Sequence, residues 1–213
     1  YSRGLATARD AWCYNSSSES LNANIKRSMD FYNDQRYQLS KGFIKDVEYD
    51  LTQISWTTSV LNLALKNQEI TQDKIGEKVI SLYRPFFKQI GYYSRFWNDR
   101  VYQLPKLFPT SKYKNLVICV KGIGDKDFSC LIADCIPDLQ VIFNGQCFPL
   151  YWYEENKNKQ QTLSLFDTES SDDYIRRDGI TDWILKEVRT RFGNARKITK
   201  ETIFYYVYGL LHS

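Results

Sequence analysis

The chain has 213 residues, of which 43% are apolar and 25% are charged, and its formal net charge is +4. This length suits one large domain or two small ones that bury a core without disulfides or metal. No run of about 18 apolar residues, signal peptide or lipidation motif occurs. The totals therefore exclude a membrane-spanning helix, and we expect a soluble cytoplasmic protein.

The first predicted helix covers residues 17–37. Ser16 and Glu19 have capping-box spacing, in which a hydroxyl and a carboxylate each satisfy a free backbone amide. The apolar residues that follow at helical spacing are Leu21, Ile25, Met29 and Tyr32. A second helix is predicted over residues 57–67, and a polar connector follows it.

A β-rich centre is predicted between residues 79 and 153, the segment that holds all five prolines of the chain. Proline stops helices, and branched or aromatic runs bounded by Gly or Pro are typical of strands. The predicted strand runs are VISLY, NLVICVKG, FSCLIADCI, LQVIFNG and CFPLYWY. Residues 154–178 are polar and poor in aliphatic side chains, so we expect a long exposed loop there.

Two closing helices are predicted within residues 180–211. Thr181 and Asp182 begin the first helix, and Thr199 begins the second. The predicted apolar stripe of the first helix is Ile180, Ile184, Val188 and Phe192. The residues of the second helix predicted to point inward are Ile203, Tyr206, Val207 and Leu210. These elements predict an α+β fold with a β-rich centre and helices near both ends.

The sequence offers no equipment for catalysis. His212, near the end of the chain, is the only histidine, so catalytic units and zinc sites that need histidine are hard to assemble. Gly122 and Gly124 lack the spacing of a dinucleotide or phosphate loop, which favours a tight turn. The five cysteines contain no CxxC pair, which favours buried thiols over disulfides. We predict no catalytic residue and no metal site, and therefore a binding or structural module.

The stretch between residues 84 and 114 combines rings with cations. It contains seven Lys or Arg residues and nine aromatic residues, but only one acidic residue, Asp99. Burying so many unpaired cations is costly, so most of them must reach solvent or an anion. Composition leaves two interpretations open. Phe86, Phe87 and Phe96 form a core with solvated charges at its rim, or the stretch is a surface that binds DNA.

Eight motifs, which run in family order over nearly the whole chain, resemble the C-terminal part of Type ISP restriction–modification enzymes. They are TARDAWCYN (7–15), SMDFYN (28–33), LYRPF (82–86), NDRVYQLPKLFP (98–109), NLVICVKG (115–122), FSCLIADCIPDLQVI (128–142), GQCFPLYWYE (145–154) and ITKETIFYYVYGLLHS (198–213). These helicase-like, ATP-dependent enzymes are single polypeptides that join nuclease, translocase, adenine methyltransferase and target-recognition parts. Since the chain lacks an initiator Met, we expect it to be a fragment of such a polypeptide.

The resemblance implies two regions. Residues 1–75 are expected to form a helical region at the junction with a methyltransferase domain, and residues 76–213 a target-recognition domain. The implied function is recognition of a short duplex DNA site for methylation and restriction. The parent enzyme is expected to use S-adenosylmethionine, ATP and Mg²⁺, whereas this fragment is expected to hold no cofactor and to catalyse nothing. Its expected partners are duplex DNA and the other domains of the parent, with no membrane.

The predicted DNA contacts form one outward-facing surface. The cations expected to contact phosphates or bases are Arg84, Lys88, Arg95, Arg100, Lys106, Lys112 and Lys114. The side chains expected beside them are Tyr92, Tyr93, Trp97 and Asn98. Arg3 and Arg9, near the methyltransferase junction, are predicted to help present the target adenine, with a structural salt bridge as the alternative.

Two other functions stay open. The chain is alternatively an intramolecular docking module that joins the methyltransferase and translocase parts and does not bind DNA by itself. The closing helices, rich in Tyr and Trp, then form the interface. The same rings and charges also suit a binder of RNA or single strands.

Overall fold

The computed structural model describes residues 1–71, 76–95, 97–123, 127–156, 173–192 and 197–213. In chain order, the strands are β1 (Ser2–Arg3), β2 (Tyr14–Asn15), β3 (Glu77–Arg84), β4 (Phe87–Tyr93), β5 (Val117–Val120), β6 (Cys130–Ala133), β7 (Ile136–Pro137), β8 (Gln146–Pro149), β9 (Tyr151–Glu155) and β10 (Tyr174–Asp178). The helices are α1 (Asp10–Cys13), α2 (Ser18–Ser40), α3 (Thr58–Leu65), α4 (Leu104–Leu107), α5 (Asp182–Phe192) and α6 (Lys200–Leu210). The predicted α+β class is confirmed, with helices near both ends and sheets in the centre.

The chain forms two compact units. The N-terminal unit consists of Gly4–Tyr102 and Ile136–Val141. The C-terminal unit consists of Tyr1–Arg3, Gln103–Cys135 and Ile142–Ser213. The predicted division between residues 75 and 76 separates a methyltransferase junction from a target-recognition region, and it stays a prediction.

The two longer helices of the N-terminal unit, α2 and α3, begin at side-chain caps. The hydroxyl of Ser17 accepts a hydrogen bond of 3.2 Å from the backbone N–H of Ser20, so the cap of α2 lies one residue after the predicted cap at Ser16 and the helix begins at Ser18. The predicted capping box of Ser16 and Glu19 is therefore wrong, although the helix itself is confirmed. Thr57 caps α3 in the same way. The four apolar residues predicted to form one face of α2 are all buried.

A four-stranded sheet completes the N-terminal unit, with the strand order β2-β4-β3-β7. Strands β3 and β4 form an antiparallel hairpin, and β7 lies parallel to β3. The core joins α2 and α3 to the end of β4 and the loop after it. Its large buried members are Leu21, Ile25, Tyr32, Ile54, Val60, Tyr92 and Trp97.

The C-terminal unit contains a second four-stranded sheet, in the order β1-β8-β5-β6, with antiparallel neighbours. Cys119 lies opposite Cys147 in this sheet with 3.7 Å between their sulfur atoms, and both thiols are buried and free. Ile118, Leu150 and Phe204 form the centre of a core beside α6. Strands β9 and β10 form a separate two-stranded sheet.

Two predictions, one about the β-rich centre and one about the loop after it, are wrong. The run LQVIFNG forms turns instead of a strand. The reason is local, because the side chain of Asp138 accepts the backbone N–H of Gln140 and its carbonyl accepts that of Val141. The second error concerns the predicted loop at 154–178, in which Tyr174–Asp178 pair with β9 as a strand. The rest of that loop, residues 157–172, lies outside the described residues.

The closing helices are confirmed, but their predicted inward faces are only partly right. Ile203 of α6 is buried, whereas Tyr206, Val207 and Leu210 are exposed. No residue of α5 is buried among those that the structure describes. The segment that joins the two helices includes residues 193–196, which lie outside the described residues. No helix in the described ranges is long and apolar enough to cross a membrane.

Candidate nucleic-acid interface

The basic and aromatic stretch from residue 84 to residue 114 is divided between the two units. Its first part, through Tyr102, belongs to the N-terminal unit, and its second part, from Gln103, belongs to the C-terminal unit. Phe96 lies outside the described residues. The stretch is therefore two candidate surfaces, one on each unit.

Four predicted contacts of the N-terminal unit are buried. Tyr92, Tyr93, Trp97 and Asn98 are each less than 10% exposed. The Trp97 ring meets the Tyr32 ring edge-on, with 6.2 Å between ring centroids. The side chain of Asn98 donates to the carbonyl of Tyr92 at 3.1 Å and accepts from the backbone N–H of Ser94 at 2.7 Å. The prediction that these side chains project outward is wrong, because the loop after β4 turns back into the helical core.

Arg9 also has a structural position. Its guanidinium is buried and donates to the carbonyl of Trp97 at 2.6 Å, to the carbonyl of Thr7 at 3.1 Å and to the hydroxyl of Thr57 at 2.9 Å. The guanidinium carbon also lies 5.3 Å from the centre of the Trp97 ring. Burial lowers the pKa of Arg9. These contacts favour the structural alternative for Arg9, which joins the start of α3 to the loop after β4 through hydrogen bonds. A part of Arg9 in presenting the target adenine stays a prediction.

Arg84 lies at the base of the turn between β3 and β4 and is bound by two carboxylates. Its guanidinium reaches Asp138 at 2.9 Å and Asp10 at 3.3 Å. It also stacks 3.8 Å from the centre of the Tyr83 ring. Asp138 accepts a further hydrogen bond from the hydroxyl of Tyr14 at 3.1 Å, and burial raises the pKa of Asp138 to about 6. Arg84 thus fixes the hairpin to α1 and to the end of β7, and its contact with DNA stays a prediction.

Three other predicted cations of the N-terminal unit are exposed: Lys88, Arg95 and Arg100. Lys88 lies on β4, two residues beyond the hairpin turn, whereas Arg95 and Arg100 lie in the loop that follows β4. Arg100 approaches Asp99 at 3.7 Å, and an exposed ion pair of this length contributes little. All three side chains reach the surface of the unit, and their contact with phosphates stays a prediction.

The predicted cations of the C-terminal unit, Arg3, Lys106, Lys112 and Lys114, are all exposed. The loop that carries the last two is held against the β9–β10 sheet. The Tyr113 ring packs 5.2 Å from the Tyr153 ring and 5.1 Å from the Tyr174 ring. The hydroxyl of Tyr153 donates to the carbonyl of Lys114 at 2.7 Å. Both lysines therefore lie on an anchored loop.

Sequence reasoning missed two exposed arginines on β10, Arg176 and Arg177. Arg176 lies over the Tyr151 ring at 4.4 Å, and Arg177 pairs with Glu154 at 2.9 Å. The available signal was that YIRRD and YWYEE carry side chains of opposite charge. In the sheet, Arg177 lies diagonally across from Glu154. We call the exposed set Lys112, Lys114, Arg176 and Arg177 the basic surface of the C-terminal unit.

A cleft of about 550 Å³ opens in the C-terminal unit. Its lining combines the cation of Lys106 with the exposed rings of Phe148 and Trp152. A cation beside exposed rings can contact both the phosphate and the base of a nucleotide. The predicted residue Lys106 thus belongs to a concave, aromatic part of this unit.

The one histidine of the chain lies beside a cysteine and a tyrosine. The His212 ring lies 3.3 Å from the sulfur of Cys130 and meets the Tyr208 ring edge-on. In the described ranges, no group of three or more His, Cys, Asp or Glu side chains is placed to hold a metal ion. Burial raises the pKa of Cys13 to about 12, so that thiol stays protonated.

Comparisons with known proteins agree over the whole chain. A family model described as the Type ISP C-terminal specificity domain matches residues 1–213. The ATP-dependent Type ISP restriction-modification enzyme LlaBIII bound to DNA is 31% identical, with a TM-score of 0.76 over 100% of this chain and 13% of that one. A DrdV–DNA complex is 29% identical, with a TM-score of 0.80 over 99% of this chain and 19% of that one.

A third solved structure is a nuclease-deletion mutant of the Type ISP restriction-modification enzyme LlaGI in complex with a DNA substrate mimic. It is 28% identical, with a TM-score of 0.75 over 100% of this chain and 15% of that one. This chain therefore spans less than a fifth of the length of each of these relatives. None of the curated proteins matches it significantly. Since the family match covers every residue, the chain belongs to the Type ISP C-terminal specificity domains.

Proposed function

We propose that this chain recognises a specific sequence in duplex DNA and catalyses no reaction itself. The observation that carries the proposal is the match of all 213 residues to a specificity domain. The LlaBIII, DrdV and LlaGI structures, each similar over at least 99% of this chain, all contain DNA or a DNA mimic. Identity of 28–31% with a shared fold makes a shared ligand class the simplest account.

The charge distribution supports the proposal. Lys112, Lys114 and Arg176 are exposed on elements anchored by ring contacts, so their charges are available to phosphates. Phosphate contacts supply affinity for any duplex, whereas side chains that reach base edges supply specificity. The described cations suit contacts with phosphates. The β3–β4 turn and the aromatic cleft are candidates for contacts with base edges.

The rest of the activity belongs to the longer polypeptide that the relatives predict. We propose that other domains bind S-adenosylmethionine, ATP and Mg²⁺ for methylation, translocation and cleavage in the cytoplasm. The domain described here directs those activities to one site. Recognition requires only a fixed surface, whereas the reactions require cofactor and metal sites, which we assign to those other domains.

Selection of DNA by the chain tests the proposal. Duplexes with a randomised central segment are passed over the immobilised chain, and the retained fraction is amplified and sequenced over several rounds. We expect enrichment of one short asymmetric sequence. If about six phosphates are neutralised, log affinity falls with log salt at a slope of about −5. A folded chain that retains every duplex equally, or none, contradicts the proposal.

A second function is favoured by the closing helices, which expose large apolar side chains. Trp183 of α5 is 69% exposed and Tyr206 of α6 is 62% exposed. Exposed rings on consecutive helices are typical of an interface. We propose that α5 and α6 dock against another domain of the same polypeptide.

Hydrogen exchange tests the docking of α5 and α6. If they dock, their backbone amides exchange more slowly in the longer polypeptide than in this chain, with α2 as the internal reference. Equal protection of α5 and α6 excludes docking.

A further inference from the structure

The turn of the β3–β4 hairpin carries an aromatic residue where the backbone favours glycine. Arg84 pairs with Phe87, so the two turn residues are Pro85 and Phe86. Phe86 has a φ of +62°, in the left-handed region. Type II turns combine proline at their first central position with Gly or Asn at the second, because other side chains are strained there. A phenylalanine at this position costs conformational energy, so we expect its side chain to serve a contact outside the turn.

The Phe86 ring gains nothing from packing within its unit. It is 94% exposed, the largest exposure of any aromatic side chain in the described part of the chain. The next residue, Phe87, is 49% exposed. Two neighbouring rings in water, one of them on a strained backbone, are typical of a surface that becomes covered on binding.

The turn also projects beyond the strands that flank the hairpin. Strand β7 pairs with β3 only at Ser81 and Leu82, and β2 pairs with β4 only at Ile90 and Gly91. Residues 83–89 therefore form a ribbon of two strands with no third described strand beside it. A two-stranded ribbon has dimensions that a groove of duplex DNA admits.

The base of this ribbon is fixed. Arg84 binds Asp138 at 2.9 Å and stacks on Tyr83 at 3.8 Å, and Tyr83 donates from its hydroxyl to Asp10 at 3.4 Å. These contacts tie the β3 side of the turn to α1 and to the residue that follows β7. The two rings are thus presented by an ordered support, and little conformational freedom is lost when they contact a ligand.

Charge favours nucleic acid as that ligand. From Tyr83 to Arg95 the chain has three cations and no acidic residue. Within the ribbon the cations are Arg84, which binds Asp138 and Asp10, and Lys88, which is exposed. Proline and phenylalanine are among the apolar side chains that proteins insert between base pairs, and a cation beside them meets the phosphates.

We propose that Pro85 and Phe86 form a wedge that inserts between base pairs of the duplex and unstacks one base step. The proposal rests on the duplex recognition proposed above and assigns part of it to this turn. Partial unstacking bends the duplex and depends on how easily a given step deforms. The wedge therefore contributes both affinity and selectivity for a flexible step.

Phe86→Gly tests the wedge without endangering the fold. Glycine accepts the left-handed backbone at no steric cost, so we expect the thermal midpoint of the variant to equal or exceed that of the wild type. Phe86→Trp keeps a large flat ring and is the rescue variant. Phe43→Gly removes another exposed ring of the same unit and is the matched control.

The readout is binding to the duplex enriched by selection, with 2-aminopurine placed at successive positions and dyes at both ends. With wild-type chain we expect fluorescence to rise at one step and the end-to-end transfer efficiency to report a bend. Phe86→Gly is expected to lose both signals and to bind about tenfold more weakly, the loss of roughly one stacked base. Phe86→Trp and Phe43→Gly are expected to keep both signals.

The outcomes separate the wedge from the function on which it rests. A folded wild-type chain that enriches no duplex overturns both proposals. If the wild type enriches a duplex and Phe86→Gly binds it with unchanged affinity, fluorescence and bend, the wedge alone is overturned, and the turn contacts a protein domain instead. A Phe86→Gly chain that unfolds at lower temperature also overturns the wedge, because Phe86 then serves the fold.

Discussion

Arg84 and Asp138 are 54 residues apart in sequence and form a hydrogen-bonded ion pair of 2.9 Å at the base of the β3–β4 turn. The Asp138 side chain is almost fully buried, whereas that of Arg84 is 37% exposed. A buried carboxylate depends strongly on its partner, because an uncompensated charge in the interior is costly. This pair therefore links the stability of the unit to the position of the turn.

The first prediction concerns that pair. Arg84→Ala leaves Asp138 with the Tyr14 hydroxyl and the Gln140 amide as its remaining donors among the described residues. We expect the free energy of unfolding to fall by about 1–3 kcal/mol. Arg100→Ala is the matched control, and the loss of its exposed pair with Asp99 should change stability by less than about 0.5 kcal/mol. Equal effects of the two substitutions in urea unfolding would contradict this account.

The second prediction concerns pH. Because burial raises the pKa of Asp138 to about 6, above its unfolded value of about 4, this group binds its proton more tightly in the folded state. Its contribution to stability therefore rises as pH falls from about 6 to about 4, and is lost as pH rises through 6. Asp138→Asn removes the titration. We expect the stability of the wild type relative to Asp138→Asn to be greater at pH 4.5 than at pH 7. A difference that does not vary between these two pH values excludes the assignment.

The third prediction concerns Arg9. Arg9→Ala removes donors from two backbone carbonyls and one hydroxyl in the interior. We expect a loss of about 2–4 kcal/mol in stability, and Arg9→Lys should recover little because an ammonium cannot donate in the same forked geometry. At a temperature where the variant is folded, its affinity for DNA should equal that of the wild type. A stable Arg9→Ala variant with weakened binding would restore Arg9 as a contact.

The fourth prediction concerns the basic surface of the C-terminal unit. Lys112→Glu and Arg176→Glu are each expected to weaken binding to enriched and scrambled duplexes alike and to reduce the salt slope by about 1. Lys41→Glu, on the residue that follows α2, is the charge-matched control. Fluorescence anisotropy over a range of salt concentrations measures both quantities. If the surface variants behave like the control, phosphate binding lies elsewhere on the chain.

The fifth prediction concerns Arg95 and Arg100, the exposed cations of the loop after β4. The double variant Arg95→Glu/Arg100→Glu should fold like the wild type, because neither side chain is buried. If this loop contributes to the DNA surface, affinity falls and the salt slope decreases by about 2. Unchanged binding by the folded variant rules out both positions.

The helices and most strands were predictable because their signals are local. The period of apolar residues located α2, and the hydroxyl cap at Thr199 located α6. Strand β10 was missed because its partner β9 precedes a segment of more than fifteen residues, and pairing across such a distance leaves no local pattern. The turns at LQVIFNG were missed because a short apolar run is ambiguous until the hydrogen bonds of Asp138 are known.

The candidate site was less predictable than the fold. Composition correctly indicated exposed cations at Lys88, Lys106 and Lys112, since charged side chains stay in water. It could not indicate which rings face outward. Trp97 is fully buried whereas Phe86 is almost fully exposed, although both lie in one aromatic stretch. That difference arises from the left-handed turn and from the packing of α2, and neither is visible in a residue count.

The most direct test of sequence recognition is the ratio of two dissociation constants for the chain at physiological salt. One is measured with the duplex enriched by selection, and the other with a scrambled duplex of the same length and composition. Specific recognition predicts a ratio of at least about a thousand. A ratio near one, with a folded chain and a measurable affinity, would reduce the domain to a non-specific binder and contradict the account.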